Sequence, residues 1–262
     1  MPIEFGTFVP LFFAAIAIGV LASLLGIGGG VFMTPLLLLG GLVLTQPEAA
    51  GTSIAAVVFT GISASIAYFR RRAIDFRVGW IFMVPAIAGV YIGYLVGNAV
   101  GAAWLTIAFG VFLLYPAGMM LAGKSTKDLA GRPEGRSTGV RFYLLAAVLG
   151  LIAGTVTKLF GIGGGTVFVP SLVLFLGFDI ITAVATSLFV MIPTAIFGSV
   201  LSHIQGTLHP ELALPLIFGV VIGAQIGPRI GSRIPKARLR QLFGLVLLYA
   251  AVNMVLKGIR GI

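Results

Sequence analysis

Long apolar stretches, separated by short polar or glycine-containing connections, run through the whole chain. Ten such stretches can be distinguished, five in each half. Most of them approach the length of about 20 residues that an α-helix needs to cross a hydrocarbon core of about 30 Å. The pattern therefore predicts an all-α polytopic membrane protein. The segments cover residues 8–25, 31–44, 50–69, 78–97, 103–122, 142–160, 166–178, 180–202, 211–228 and 241–257.

The two halves of the chain are copies of one unit. A shift of 135 residues (161 − 26) lays residues 26–35 on 161–170, and a shift of 134 (186 − 52) lays Thr52-Ser53 on Thr186-Ser187. Self-similarity over such a length indicates a tandem duplication. The sequence predicts a first transmembrane repeat at 1–122 and a second at 140–262. A polar segment with glycines and charges, 123–139, is predicted to be the cytoplasmic linker between them.

Basic residues are concentrated in a few connections, and their positions predict how each repeat is oriented. The connection after the third segment holds four arginines at 70–77, whereas its counterpart at 203–210 has no Lys or Arg. After the fourth segment the bias is reversed, since the first-half connection is uncharged and 229–240 holds five basic residues. Basic connections stay in the cytoplasm. We therefore expect two inverted-topology repeats, although Lys257 and Arg260 would then lie outside.

Composition agrees with a membrane protein. Hydrophobic residues make up 59% of the chain and charged residues 9%, with a mean hydropathy of +1.14. Soluble domains contain about 45–50% apolar residues and about 25% charged residues. The net charge of +10 lies mainly in the connections, so it does not indicate a nucleic-acid-binding face. The sequence contains no cysteine and no metal-binding spacing, and we expect no cofactor.

One motif occurs at the same place in both repeats: Gly-Ile-Gly-Gly-Gly at 26–30 and at 161–165. Four glycines in five residues break a helix, so the first two segments of each half are predicted to form a hairpin that is broken at this motif. Non-helical backbone inside a membrane is tolerated where protein buries it or where it lines a cavity. We therefore place a candidate substrate site here, with close helix packing as the alternative. Its backbone would come from Gly28, Gly29, Gly30, Gly163, Gly164 and Gly165.

Exposed N–H groups at the start of a helix attract anions, so the predicted ligand is a small anion. Thr34, which precedes Pro35, is expected to cap the helix that follows the first motif. A different set of glycines has the four-residue spacing that is typical of closely packed membrane helices. This set consists of Gly89, Gly93 and Gly97 in the first half and Gly223, Gly227 and Gly231 in the second.

A few other polar residues within the apolar segments are candidate site residues, each with a structural alternative. Gln225 either donates to the substrate or joins two helices. Lys158, three residues before the second motif, either pairs with the anion or extends its amine to a membrane surface. Hydroxyl groups at the start of the third segments either donate to the anion or cap helices; they belong to Thr52, Ser53, Thr186 and Ser187.

The doubled glycine motif with its following proline, the two Thr-Ser pairs and Gly-Ala-Gln-Ile-Gly at 223–227 resemble the TauE/SafE family of membrane proteins. The length of 262 residues fits this resemblance. It implies export of sulfite, or of an organosulfonate such as sulfoacetate, across the bacterial inner membrane. Tyr91 stands where the second half has Gln225, so the two half-sites are expected to be chemically unequal.

These observations favour a secondary carrier that works by alternating access, with a small anion and the lipid bilayer as its partners. An anion channel, an uptake permease for another small anion and a non-transporting scaffold are the alternatives. An intramembrane enzyme would depend on Ser63 with His203 and His209, which are predicted to lie in an external loop, and we expect no enzymatic activity. Nucleic acid is not an expected partner, and a homodimer is left open.

Overall fold

The computed structural model describes residues 5–122, 140–230 and 236–261, and this part of the chain is helical without a β-strand. The predicted linker at 123–139 and the connection at 231–235 lie outside the described residues. The all-α membrane fold is confirmed. The helices are α1 (Phe5–Leu25), α2 (Gly30–Leu39), α3 (Gln46–Phe69), α4 (Phe76–Ala99), α5 (Ala102–Leu121), α6 (Val140–Phe160), α7 (Gly165–Pro170), α8 (Ile180–Ile204), α9 (Pro210–Ile230) and α10 (Lys236–Arg260).

Helix length divides these elements into two groups. Among the described residues, seven helices are long and apolar enough to cross a membrane: α1, α3, α4, α5, α6, α8 and α9. The second helix of each half is short. The ten residues of α2 rise by about 15 Å, and α7 has six residues before it continues into a π-helical turn at Ser171–Phe175. Each half therefore contains one element that covers about half of a hydrocarbon core.

The start of α2 differs from the sequence expectation. Gly29 is the N-cap residue and α2 begins at Gly30, so Pro35 lies inside the helix. The prediction that Thr34 caps α2 is therefore wrong, because the helix extends back as far as the glycine motif. The Thr34 hydroxyl lies 3.0 Å from the Phe160 carbonyl oxygen, to which it donates, and 2.8 Å from Ser53 Oγ. It thus connects α2 with the other half of the chain.

Carboxylates at helix starts shape the connections. Asp179 accepts hydrogen bonds from the backbone N–H groups of Ile181 and Thr182 at the start of α8. Burial raises the pKa of Asp179, but these hydrogen bonds lower it by more, so that it lies below the ordinary value. Asp75 caps α4 in the same manner. Glu48 lies in the first turn of α3 and accepts hydrogen bonds from the N–H groups of Leu44 and Thr45, just before that helix. Such caps satisfy N–H groups that would otherwise lack a partner at a helix start.

Most of the large helix contacts join one half to the other in a reciprocal pattern. The first helix of each half packs on the fourth helix of the other, so that α1 pairs with α9 and α6 pairs with α4. The third helices pair with each other, as do the fifth, in α3–α8 and α5–α10. Each of these eight helices thus packs on a partner equivalent to that of its counterpart in the other half.

The third helices run antiparallel. Gly51, near the start of α3, lies against Thr207 beyond the end of α8. Gly61, farther along α3, lies against Leu188 and Ile192, which are nearer the start of α8. Antiparallel counterparts are what an inverted-topology pair requires. The orientation of each half in a membrane stays a prediction.

Close helix packing at the glycine-spaced positions agrees with their interpretation from sequence. Gly223 of α9 lies against the Ile16 carbonyl of α1, and Gly89 of α4 against the Leu151 carbonyl of α6. From the opposite side, Gly154 of α6 contacts the Ala86 carbonyl so closely that a Cβ atom would overlap it. The remaining members of the set follow the same pattern in part: Gly93 and Gly227 make close contacts, Gly97 a looser one, and Gly231 lies outside the described residues.

We expect Gly154→Ala to lower the melting temperature of the detergent-solubilised protein, because the new methyl group would overlap the backbone of α4. Overpacking of this kind costs about 1–3 kcal/mol. Gly118→Ala is the matched control, since it adds the same methyl group inside α5, where no described atom other than the adjoining backbone of α5 would lie within 4 Å of it. Its melting temperature should stay or rise, because Ala favours helix by about 1 kcal/mol over Gly. Equal effects of the two substitutions would contradict the close α4–α6 contact.

Candidate functional site

The two glycine motifs meet at the centre of the helix bundle. We call residues 26–30 the first glycine turn and residues 161–165 the second. Gly30 lies against the carbonyl oxygen of Gly161, and Gly165 lies against the carbonyl oxygen of Gly26. A Cβ atom at either Gly30 or Gly165 would overlap the opposite backbone. The turns therefore cross at a distance that only glycine permits.

Both turns have the same unusual backbone shape. Gly26, Gly28 and Gly29 have φ angles of 71°, 76° and 84°. Their counterparts in the second turn have φ angles of 69°, 76° and 74°. L-residues with side chains rarely adopt this region, so alanine at these positions would be strained even where there is space. The duplication has preserved the conformation of the turn as well as its sequence.

Backbone donors collect at the crossing. The N–H groups of Gly26 and Gly161 donate to the carbonyl oxygens of Ala22 and Thr157. These bonds form the last turns of the preceding helices. Within the described residues, the N–H groups of Gly28 and Gly163, like those of Gly29 and Gly164 beside them, donate to no carbonyl or side chain. Buried N–H groups are nearly always paired in proteins, so unpaired donors in a buried place need an acceptor. Binding of a small oxyanion by these N–H groups stays a prediction.

Apolar side chains enclose the crossing. Met191 of α8 is fully buried, and its sulfur lies beside both Gly28 and Gly163. Val57, which occupies the equivalent position on α3, contacts Gly163. Such surroundings exclude water and strengthen any hydrogen bond made there. Met191 could not be identified from sequence, because it is one apolar residue within an apolar segment.

Two serines hold the turns through reciprocal hydrogen bonds. Ser53 Oγ lies 3.1 Å from the Gly161 carbonyl oxygen, and Ser187 Oγ lies 3.1 Å from the Gly26 carbonyl oxygen. Each hydroxyl also lies near a carbonyl of its own helix, at Ala50 or Val184. The serines are therefore at the predicted site, and each one contacts the turn of the other half.

The neighbouring threonines point elsewhere. Thr52 Oγ1 accepts a hydrogen bond of 3.1 Å from the His209 N–H, and Thr186 Oγ1 accepts one of 3.0 Å from the Asp75 N–H. Each threonine hydroxyl thus holds the connection that follows the third helix of the opposite half. The structure brings the serines to the turns but places the threonine hydroxyls at these connections. Direct binding of an anion by Thr52 and Thr186 stays a prediction.

Gln225 and Lys158 also make hydrogen bonds away from the turns. Gln225 Nε2 donates to the Ser63 carbonyl oxygen over 2.7 Å and so joins α9 to α3. Lys158 Nζ donates to Ser202 Oγ over 2.8 Å and to Gln205 Oε1 over 2.7 Å. The contact of Gln225 agrees with its helix-joining alternative. Binding of substrate by either residue stays a prediction.

The residues considered for an enzyme are not arranged as a nucleophile and base. The Ser63 hydroxyl donates to the Val221 carbonyl oxygen over 2.9 Å. His203 lies in the last turn of α8 and is not in the connection where the sequence placed it. His209 does lie in that connection, with Nδ1 3.3 Å from Glu211 Oε1.

Thr166 is a candidate that the sequence did not single out. It follows Gly165 directly and is 5% exposed, and its hydroxyl forms no hydrogen bond within the described residues. Side chains of a helix tilt toward its N-terminus, which here is the second glycine turn. Val31 is the counterpart in the first half. This comparison of the two repeats is the one signal by which the sequence could have identified Thr166.

The sequence profile of a family described as Sulfite exporter TauE/SafE matches residues 11–254. The chain belongs to this family. It is 32% identical to the probable membrane transporter protein YunE of Bacillus subtilis, over 81% of this chain and 84% of that protein. This TauE/SafE protein is also 26% identical to a probable membrane transporter protein of Xylella fastidiosa, over 91% of both chains.

A third similar protein is the probable membrane transporter protein MJ0441 of Methanocaldococcus jannaschii, which is 32% identical over 71% of this chain and 68% of that protein. No solved structure matches the chain. Family membership and the seven long apolar helices found among the described residues make this TauE/SafE protein a multi-pass membrane transporter and not an enzyme.

We expect Ser53→Ala and Ser187→Ala each to destabilise the protein by about 1–3 kcal/mol, because each removes a hydrogen bond to a buried carbonyl group. The measurement is the melting temperature in detergent. Thr60→Val is the control, since its buried hydroxyl bonds only to Ala56 within its own helix. The double serine variant should lose more than either single variant. Serine variants as stable as Thr60→Val would show that the reciprocal bonds do not hold the turns.

Proposed function

We propose that this transporter is a secondary carrier that exports a small sulfur-containing anion, sulfite or an organosulfonate such as sulfoacetate, by alternating access. The observation that carries the proposal is the crossing of two glycine turns in a buried place, where backbone N–H groups of both halves have no partner among the described residues. The family description as a sulfite exporter supports the class of substrate.

The chemistry of the crossing suits an oxyanion. Backbone N–H groups bind negative oxygen atoms without carrying a full positive charge. Because their attraction is weaker than that of a cation, the ligand can be released as well as bound. The start of α2 adds the positive end of a helix dipole at the same point. The buried hydroxyl of Thr166 supplies a further donor. Enclosure by Met191 and Val57 keeps water away from these donors.

The way in which the halves are joined supports alternating access. Each turn belongs to one half but is held by a serine of the other. A movement of one half relative to the other therefore changes both turns together. Because a cell interior is negative, the membrane potential favours anion exit by about 2.3 kcal/mol per charge per 100 mV. The string Gly-x-x-x-x-Gly-Lys-Ser occurs once, at 118–125, but its first residues belong to α5 and no β-strand precedes it among the described residues. It therefore lacks the strand–loop–helix context of an ATP site.

The proposal is tested with purified protein in liposomes that are loaded with labelled sulfite, thiosulfate, sulfate or sulfoacetate. A carrier should give saturable efflux, and unlabelled anion on the opposite side should accelerate exchange. A flux that stays proportional to concentration would favour a channel. Transport directed inward only would favour an uptake permease. No flux of any anion would overturn the proposal.

We expect Thr166→Val to raise the half-saturating anion concentration about tenfold, which corresponds to the loss of one hydrogen bond to a charged group. Its melting temperature should stay or rise, because Val has a similar shape and removes a hydroxyl that has no partner. Thr60→Val makes the same chemical change on α3 and should transport normally. Normal transport by Thr166→Val would exclude this hydroxyl from the site.

A further inference from the structure

A second polar cluster lies apart from the glycine turns, at the end of α6. Lys158 Nζ donates to Ser202 Oγ and to Gln205 Oε1. Gln205 Nε2 in turn donates to Asn98 Oδ1 near the end of α4. Lys158 is 8% exposed and Ser202 is fully buried, whereas Gln205 is half-buried and Asn98 is exposed. The cluster therefore leads from a buried ammonium group to the surface of the protein.

The charge of this cluster is uncompensated. Both partners of the ammonium group are neutral oxygens, and among the described residues no carboxylate forms an ion pair with it. Removing a cation from water is costly, and buried charges are normally paired with an opposite charge. An ammonium group has three donors, and two are used. The third donor and the charge both remain for a ligand.

In the first half, the equivalent helices are joined without a cation. Repeat alignment places Ser23 at the position of Lys158 and Tyr68 at the position of Ser202. There the Tyr68 hydroxyl donates to the Ser23 carbonyl oxygen over 3.0 Å, so a neutral bond joins the equivalent helices. The need to join α6 to α8 therefore does not explain why residue 158 is a lysine.

The cluster lies at a different level of the bundle from Met191 and the crossing. Ser202 follows Met191 on α8 by 11 residues (202 − 191), which is about 16 Å along the helix axis. The Lys158 side chain reaches toward Ser202 and so away from the level of Met191. It lies at the end of the bundle that charge patterning predicts to be external.

We propose that Lys158 and Ser202, with Asn98 at the surface, form an external binding station for the transported anion, distinct from the glycine turns. The proposal rests on the proposed function in taking the cargo to be a small oxyanion. Lys158 supplies its third N–H and its charge. The Ser202 hydroxyl accepts from Lys158, so its own proton can be donated to the same oxyanion. Gln205 positions the ammonium group from the other side.

The test compares Lys158→Gln with Lys257→Gln, which removes the same charge at the same predicted side. Lys257 is exposed and donates to the Leu38 carbonyl oxygen over 2.9 Å. In liposomes of one protein orientation, the half-saturating external anion concentration for exchange should rise about tenfold in Lys158→Gln and stay unchanged in Lys257→Gln. Lys158→Arg should retain most of the affinity. Equal behaviour of the two glutamine variants would overturn the proposal.

Binding is measured separately as the rise in melting temperature that sulfite, thiosulfate or sulfate gives in detergent, with chloride for comparison. The rise should be smaller in Lys158→Gln and in Ser202→Ala than in Lys257→Gln. A variant that melts early without ligand but keeps the full rise would show a structural role only and would overturn the station. Absence of flux in the unaltered protein would refute the proposed function. A rise in melting temperature that depends on Lys158 would still support the anion site.

Discussion

The close approach of two backbones is the constraint on which the rest of the structure depends. Gly30 and Gly165 each lie against a carbonyl of the opposite turn, and no residue with a side chain fits at either place. This approach brings the ends of α1 and α6 and the starts of α2 and α7 to one point. It also places α3 and α8 beside the crossing, where Ser53 and Ser187 bond to the turns and Val57 and Met191 contact the glycines. Binding of an anion would therefore be felt by both halves at once.

The fold was largely predictable because its signals are strong and local. Apolar length predicted the long helices, the glycine motif predicted the breaks, and glycine spacing predicted which faces pack closely. The start of α2 was not predictable from Thr34-Pro35, because the reciprocal backbone contact at Gly30 outweighs the local preference for a cap. The pairing of α1 with α9 and of α4 with α6 also depends on contacts distant in sequence.

The candidate site was predictable to the level of the motif and not of the side chain. Thr52 and Ser53 are neighbours, and successive residues on a helix differ in direction by about 100°. One hydroxyl therefore faces the turn and the other faces a connection, and sequence alone does not decide which. Lys158 was predicted near the second turn from its spacing, but its long side chain reaches along the bundle to Ser202 and Gln205. Met191 and Thr166 carry no signal within one repeat, because apolar residues and threonines are common in membrane helices.

The reciprocal serine bonds have a consequence for how such a protein could arise. A single five-helix unit has a turn whose leading carbonyl is bonded by a serine of the other unit, so it cannot complete that turn alone. Two identical units, arranged with their third helices antiparallel, would complete each other. Duplication of one gene would supply both members of such a pair in a single chain and would allow them to diverge. Lysine at 158 opposite serine at 23 is a difference that no symmetric pair could have carried.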